Sequence, residues 1–142
     1  MIIKQISIFV ENKKGRLAEI TETLSKAGAN IRALSIADTT DFGILRIIVD
    51  KPDVAAASLK EAGITVSVTN VIAIGIEDVP GAFSVPMRIL SDAGIDVEYM
   101  YAFTFGHEQT AVMVFRFENP EATLKFFHEE KIDAIKAFDL FK

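Results

Sequence analysis

The sequence predicts an α+β chain made of two consecutive units, each of the order β-α-β-β-α-β. Three observations predict it. A glycine-centred pattern occurs twice: once from Glu11 through ENKKGRLAEI to Ala27-Gly28-Ala29-Asn30-Ile31, and again from Glu77 through EDVPGAFSVP to Ala93-Gly94-Ile95-Asp96-Val97. Gly15 and Gly81, like Gly28 and Gly94, stand 66 positions apart (81 − 15 and 94 − 28). Around each copy the hydrophobic period switches between strand-like and helix-like in the same order.

Residues 2–10 open the first unit as a strand, with Ile6, Ile8 and Val10 on one face and Gln5 and Ser7 on the other. From Arg16 the apolar spacing becomes Leu17, Ile20, Leu24, Ala27, one stripe of a helix, and Gly28 suits its left-handed end. Asn30–Ala37 is a second strand, Asp38-Thr39-Thr40-Asp41 a turn and Ile44–Val49 a third strand. Pro52 with Asp53 starts a second helix, which continues through Ala55, Ala56, Leu59 and Ala62 and stops at Gly63. Ile64, Val66 and Val68 alternate with polar residues as a fourth strand.

Asn70 is the one break before the pattern restarts at Val71–Ile76, which leaves almost no linker and restrains the halves from swinging. The next helix carries Phe83, Met87, Leu90 and Ala93, and Pro86 is expected to kink its first turn or delay its start. Val97, Tyr99, Tyr101, Phe103 and Phe105 alternate along one strand face, which reads as mostly core. A turn at Gly106-His107-Glu108-Gln109 makes this copy two residues longer, so Pro52 then matches Pro120. Asn119-Pro120 caps the last helix, and residues 132–141 hold the final strand. Each half thus folds as a ferredoxin-like antiparallel sheet with two helices on one face. Leu45, Ile47 and Val49 align with Met113, Phe115 and Phe117 as core positions, while Arg46 and Arg116 fall on the opposite face, left to water or a partner.

Composition narrows function. The chain has 142 residues, half of them hydrophobic, a formal net charge of −5 and no cysteine. Disulfides and thiolate metal sites are excluded, and a net acidic surface disfavours nucleic acid. No run reaches the roughly 18 apolar residues of a membrane span. The start, MIIKQISIFV, reads as a strand and not a leader, so a cytoplasmic setting is expected. Catalysis finds no footing. Ser35 and Ser84 lack a nucleophile turn, His107 and His128 sit on different elements, and Glu129-Glu130 are consecutive and so diverge on a helix. No catalytic residue, metal site or cofactor is expected. An RNA-binding module shares the element order but calls for a basic surface with aromatics on its central strands.

Gly15 and Gly81 remain. Spacing alone leaves two readings: turn residues with an unusual backbone angle, or glycines that let a ligand approach the amides at a helix start. The strand followed by Asn-Lys-Lys-Gly-Arg-Leu-Ala-Glu-Ile, then Ala-Gly-Ala-Asn-Ile entering the next strand, resembles the ACT domain. That family carries an Asp/Asn-x-Pro-Gly-x-Leu turn and a Gly-hydrophobic-Asn-Ile entry on this fold. Asp78-Val79-Pro80-Gly81-Ala82-Phe83 with Gly94-Ile95-Asp96-Val97 is similar to it too. The resemblance implies two ACT domains, 1–70 and 71–142, with sheets joined side by side, in a stand-alone tandem protein.

It further implies a regulatory protein that binds an amino-acid-like ligand between repeats. The ligand would touch the strand-helix turn of one and the second-strand start of the other. Carried over, the first copy offers Asn12, Gly15, Arg16, Leu17 and Asn30; the second offers Asp78, Pro80, Gly81, Ala82, Phe83 and Asp96. Lys14 stands where the first turn would have its proline. Asn12 and Asn30 can meet either end of a zwitterion, whereas ionised Asp78 and Asp96 only accept, so the asparagine pair is the better expected site. A metabolic enzyme partner and a homodimer are compatible with this reading. The alternative is an adaptor that binds an enzyme without any metabolite.

Overall fold

A computed structural model describes residues 2–38, 41–105 and 110–132. The order is β1 Ile2–Glu11, α1 Arg16–Lys26, β2 Ile31–Asp38, β3 Phe42–Val49, α2 Pro52–Glu61, β4 Val66–Glu77, α3 Ser84–Asp92, β5 Tyr99–Phe105, β6 Thr110–Arg116 and α4 Pro120–Glu129. The predicted Thr39-Thr40 and Gly106–Gln109 turns lie outside the described residues, as does nearly all of the predicted final strand. Lys4–Thr69 form one compact unit, and among the described residues Ile2, Ile3 and those from Asn70 onward build another. Asn70 does not break the chain's extended run, because β4 continues from Val66 to Glu77.

In the first unit the strand order is β2-β3-β1-β4, antiparallel between β2 and β3 and between β3 and β1. Ile6 faces Ile47 and Ile8 faces Leu45 across β1 and β3. These four side chains are buried with Val10, Val49, Ile20, Leu24, Ala55, Ala56 and Leu59, so the sheet face and one stripe from each helix make the core. Burying an aliphatic side chain of this size contributes roughly 1.5–3 kcal/mol, which is why the stripe residues decide how each helix docks. Leu17, the first stripe position, stays 47% exposed because the core begins one turn later, at Ile20.

The second unit repeats the plan, with β4-β6-β5 in order and antiparallel pairing. Ile72, Ile74, Leu90, Met113, Phe115, Phe117 and Phe127 form its core. Phe115 stacks on Phe117 with centroids 5.5 Å apart, and Phe127 meets Phe117 edge-on at 5.9 Å. The aligned trios Leu45, Ile47, Val49 and Met113, Phe115, Phe117 are buried as expected. Asn119 caps α4 by accepting from the Ala122 N–H, whereas Lys51 at the matching place caps nothing with its side chain. Pro86 delays α3 as expected. α1 begins one residue after Gly15, while α3 begins three after Gly81.

The aromatic stripe is a correction. Tyr99 pairs with Arg116, Tyr101 with Val114 and Phe103 with Val112, on the face turned away from the helices. Period-two alternation says that these rings share a face, but only pairing with β6 says which one. Val97 precedes the strand and packs on the core instead. The face away from the helices is also not left to water throughout. In the second unit its residues Val71, Ala73, Val112 and Val114 are fully buried. In the first unit the same row is polar: Ser35 pairs with Arg46 and Arg46 with Ser7, whose hydroxyl lies 3.2 Å from that of Thr69. Gln5, placed on this face as a polar residue, is fully buried and donates to Ser7 Oγ at 3.2 Å.

Candidate functional site

The first turn joins β1 to α1. Gly15 caps the helix with φ +88°, a conformation L side chains rarely adopt, and a Cβ there would meet nothing within 4 Å. Its role is therefore backbone shape and not close packing. Arg16 N–H donates back to Lys13 O at 3.3 Å, and no side chain caps the helix start. Around it stands a charge cluster. Arg16 Nη1 meets Glu19 Oε2 at 2.9 Å, Lys13 Nζ meets Glu11 Oε2 at 2.8 Å, and Arg16 Nη2 reaches Glu11 at 3.8 Å. The Lys13 hydrogen bond and charge, with a smaller contribution from Arg16, hold the Glu11 carboxyl below its ordinary range. A cavity of about 80 Å³ lies beside the turn, between Phe9, Glu11, Arg16, Glu19 and Ile64.

The second turn has the same frame and other chemistry. Gly81 also sits at φ +88° with open space around it. Ala82 N–H donates to Val79 O, and both the amide and the hydroxyl of Ser84 donate to Gly81 O, at 3.1 and 2.6 Å. Under the 66-residue offset Ala82 replaces Arg16 and Val85 replaces Glu19, so neither position can repeat the Arg16–Glu19 ion pair. The recess measures about 430 Å³ and is lined mainly by Ile76, Val79, Ala82, Val85, Pro86 and Ile89. Asp78 and Pro80 are exposed beside it, and Phe83 packs into the core.

The second-strand starts lie elsewhere. Asn30 N–H donates to Asp50 Oδ1 at 2.8 Å and Asn30 O accepts from Asp50 N–H at 3.2 Å, which ties the entry of β2 to the exit of β3. Asn12 N–H donates to Asp41 O at 3.0 Å, just before β3 begins. The eight residues of β3 separate the two asparagines, on the order of 25 Å at about 3.3 Å per residue. Asp78 and Asp96 are parted in the same way: Asp78 follows Glu77, which pairs with Thr110, and Asp96 comes shortly before Glu98, whose N–H donates to Arg116 O. Neither repeat brings its own turn and its own strand start together. Asn30 lines a recess of about 360 Å³ with Thr21, Leu24 and Ser25, and Asp96 one of about 470 Å³ with Glu98, Glu118 and Asn119.

Among the described residues no group of three or more His, Asp or Glu could hold a metal, and no helix is long and apolar enough to cross a membrane. Sequence reasoning missed Val79, Val85, Pro86 and Ile89 as lining residues. The signal was present in the offset, which sets the Arg16–Glu19 pair against Ala82–Val85.

The sequence profile of a family described as an ACT domain pair matches residues 1–142. A Bacteroides thetaiotaomicron protein of known structure is 44% identical with a TM-score of 0.92, over 100% of this chain and 97% of that one. The regulatory subunit of aspartate kinase from Thermus thermophilus, solved ligand-free, is 16% identical with a TM-score of 0.61, over 91% and 94%. E. coli aspartokinase III, solved with lysine and aspartate, is 14% identical with a TM-score of 0.52, over 91% of this chain and 31% of that one. At such identities the last two likenesses show the fold alone. No curated protein matches the chain.

Proposed function

The chain belongs to the ACT domain pair family, a regulatory module, and on that premise we propose that it senses an amino acid and passes the signal to a separate metabolic enzyme. One observation carries this reading: both repeats place a cavity beside an equivalent glycine turn at a helix start. A helix start with uncapped amides favours a carboxylate by about 0.3–1 kcal/mol. The Thermus and E. coli proteins, one a regulatory subunit and the other solved with two amino acids, support the direction of the proposal. The domain boundary is placed at Asn70.

Because each turn lies a sheet-length from the strand start of its own repeat, a ligand touching both needs a turn from one ACT repeat and a strand start from another. Asn12 and Asn30 lie at opposite ends of β3 and so belong to different sites, and each offers both a donor and an acceptor to a zwitterion. For about ten heavy atoms at ~0.6 kcal/mol each, affinity would be in the tens of micromolar, suited to a metabolite pool. Calorimetry over a panel of amino acids, on wild type and Asn30→Ala, tests the assignment. A ligand that binds both with equal affinity removes Asn30 from the site.

The adaptor reading keeps one observation in its favour. Leu34 and Ile36 on the edge strand β2 are 58% and 49% exposed, which is surface suited to a protein partner. Thermal shift separates the two readings, since a bound metabolite raises the melting temperature and a pure adaptor gives no response.

A further inference from the structure

We infer that the outward face of α3 is where a partner protein docks, through an amphipathic helix that carries lysine or arginine beside its apolar stripe. This rests on the reading of the chain as a regulator of a separate protein, and it assigns the surface that meets that protein.

α3 is apolar on two sides. Pro86 and Leu90 are buried, and Met87 packs on the core with Phe83 before it. Val85 is 60% exposed, and Ile89 follows it one turn later as a second stripe. Val79, 42% exposed, lines the same recess as these two. Val85 and Ile89 also line a hollow on their other flank, with Ser84, Arg88 and Ser91. Two aliphatic residues at i and i+4, with a hollow on each side, form a ridge of the kind that seats in the groove of another helix.

The first repeat is the internal control. Under the 66-residue offset Val79, Val85 and Ile89 correspond to Lys13, Glu19 and Thr23. There each polar group is engaged locally: Lys13 by Glu11, Glu19 by Arg16, and the Thr23 hydroxyl by Glu19 O at 2.8 Å. The same backbone thus folds with charged and hydroxyl side chains on this face, so the fold does not call for aliphatic ones. Aliphatic side chains gathered on an exposed face mark an interaction surface. Charge then names the partner. Glu77 lines the recess beside Val79 and Val85, and Asp78 follows it; both are exposed. Arg88, at the other flank, is held by Asp92 at 3.5 Å. The rim is therefore negative, which favours a basic docking helix and opposes an acidic one.

The test is fluorescence anisotropy on the full chain with two labelled peptides of about four helical turns. Both have leucine at i, i+3, i+4 and i+7; one has lysine at the remaining positions and the other glutamate. The lysine peptide is expected to bind at least tenfold more tightly than the glutamate peptide. Val85→Ser with Ile89→Ser is expected to weaken it at least tenfold, and Glu77→Gln with Asp78→Asn at least threefold. Leu34→Ser with Ile36→Ser, on the edge of β2, is expected to change it less than twofold. Circular dichroism checks folding; should the α3 variant not fold, Val79→Ser with Val85→Ser, both at exposed positions, replaces it with an expected loss of at least fivefold. Binding that survives the α3 substitutions and is lost in the β2 variant moves docking to that edge and overturns the inference. So does equal binding of the two peptides, or binding of neither. Sedimentation gives the remaining arm: a wild-type dimer that Val85→Ser with Ile89→Ser dissociates puts a second copy on this face and overturns it too. Each of these failures leaves the amino-acid sensor standing, because calorimetry with amino acids reads that separately.

Discussion

Gly15 and Gly81 hold the same backbone angle, φ +88°, and almost nothing around them is alike. One turn is crossed by a chain of charges from Lys13 through Glu11 and Arg16 to Glu19; the other opens onto a wall of valine, isoleucine and proline. The backbone plan that makes the turn is thus separable from the side chains that give it chemistry. Duplication has kept the first and changed the second.

The largest test of equivalence lies in the two cores. Phe115 occupies the place in β6 that Ile47 holds in β3, and both are fully buried. Phe115→Ala is expected to cost about 3–5 kcal/mol and Ile47→Ala about 2–5 kcal/mol, read by denaturant unfolding. A loss under about 1 kcal/mol at either site would show that its repeat repacks and that the aligned trios are not equivalent. Next come the turns. Gly15→Ala and Gly81→Ala each force an L side chain into the left-handed region at about 1–2 kcal/mol, and with nothing near the added Cβ the two losses should match. Unequal midpoint shifts would break the claim of a common frame.

A smaller asymmetry can be traded between repeats. Asn119→Ala should lose about 1 kcal/mol by removing the bond to Ala122 N–H, and Lys51→Asn should gain a similar amount in the repeat that lacks the cap. Thermal melts of both variants check the sign; a neutral Lys51→Asn would mean that the α2 start cannot adopt the capped geometry.

The smallest effect is specific to the first turn. Glu11 has its carboxyl pKa lowered by Lys13 first and Arg16 second, so its folded value lies below the unfolded 4.5. Its contribution is present above pH 4.5 and is lost as pH falls through the lowered folded value. An NMR titration of Glu11 should show the lowered midpoint, and Lys13→Met should return it toward 4.5. An unmoved midpoint in the variant would remove Lys13 as the cause.

Much of this was legible in the residues. The stripe of Ile20 and Leu24, the proline and asparagine at helix starts and the three aligned core pairs follow from periodicity and capping, which act locally. The faces of β5 were not legible, because a strand's alternation is symmetric until a neighbour is assigned: Tyr101 opposite Val114 is a fact of pairing. Burial of Gln5 was missed for a related reason, since a polar residue reads as outward until its partner, Ser7, is seen. At the site, the motif residues were found and the lining was not. Apolar residues such as Val85 and Ile89 look like helix-stripe material when only one helix is read.

The row Ser35–Arg46–Ser7–Thr69 has a consequence for how such a chain avoids tangling with itself. Two halves of similar pattern offer every strand a decoy partner in the other half, and a misassembled sheet mixing them would satisfy the hydrophobic alternation. The same row in the second half reads Tyr101–Val114–Ala73. If β1 annealed to β6, Ser7 would lie against Val114 in an apolar layer and its hydroxyl would lose that of Thr69. A stranded polar group of this kind costs roughly 1–3 kcal/mol. A few polar side chains on one sheet face thus act as an address, marking which strands belong together while the chain is still choosing.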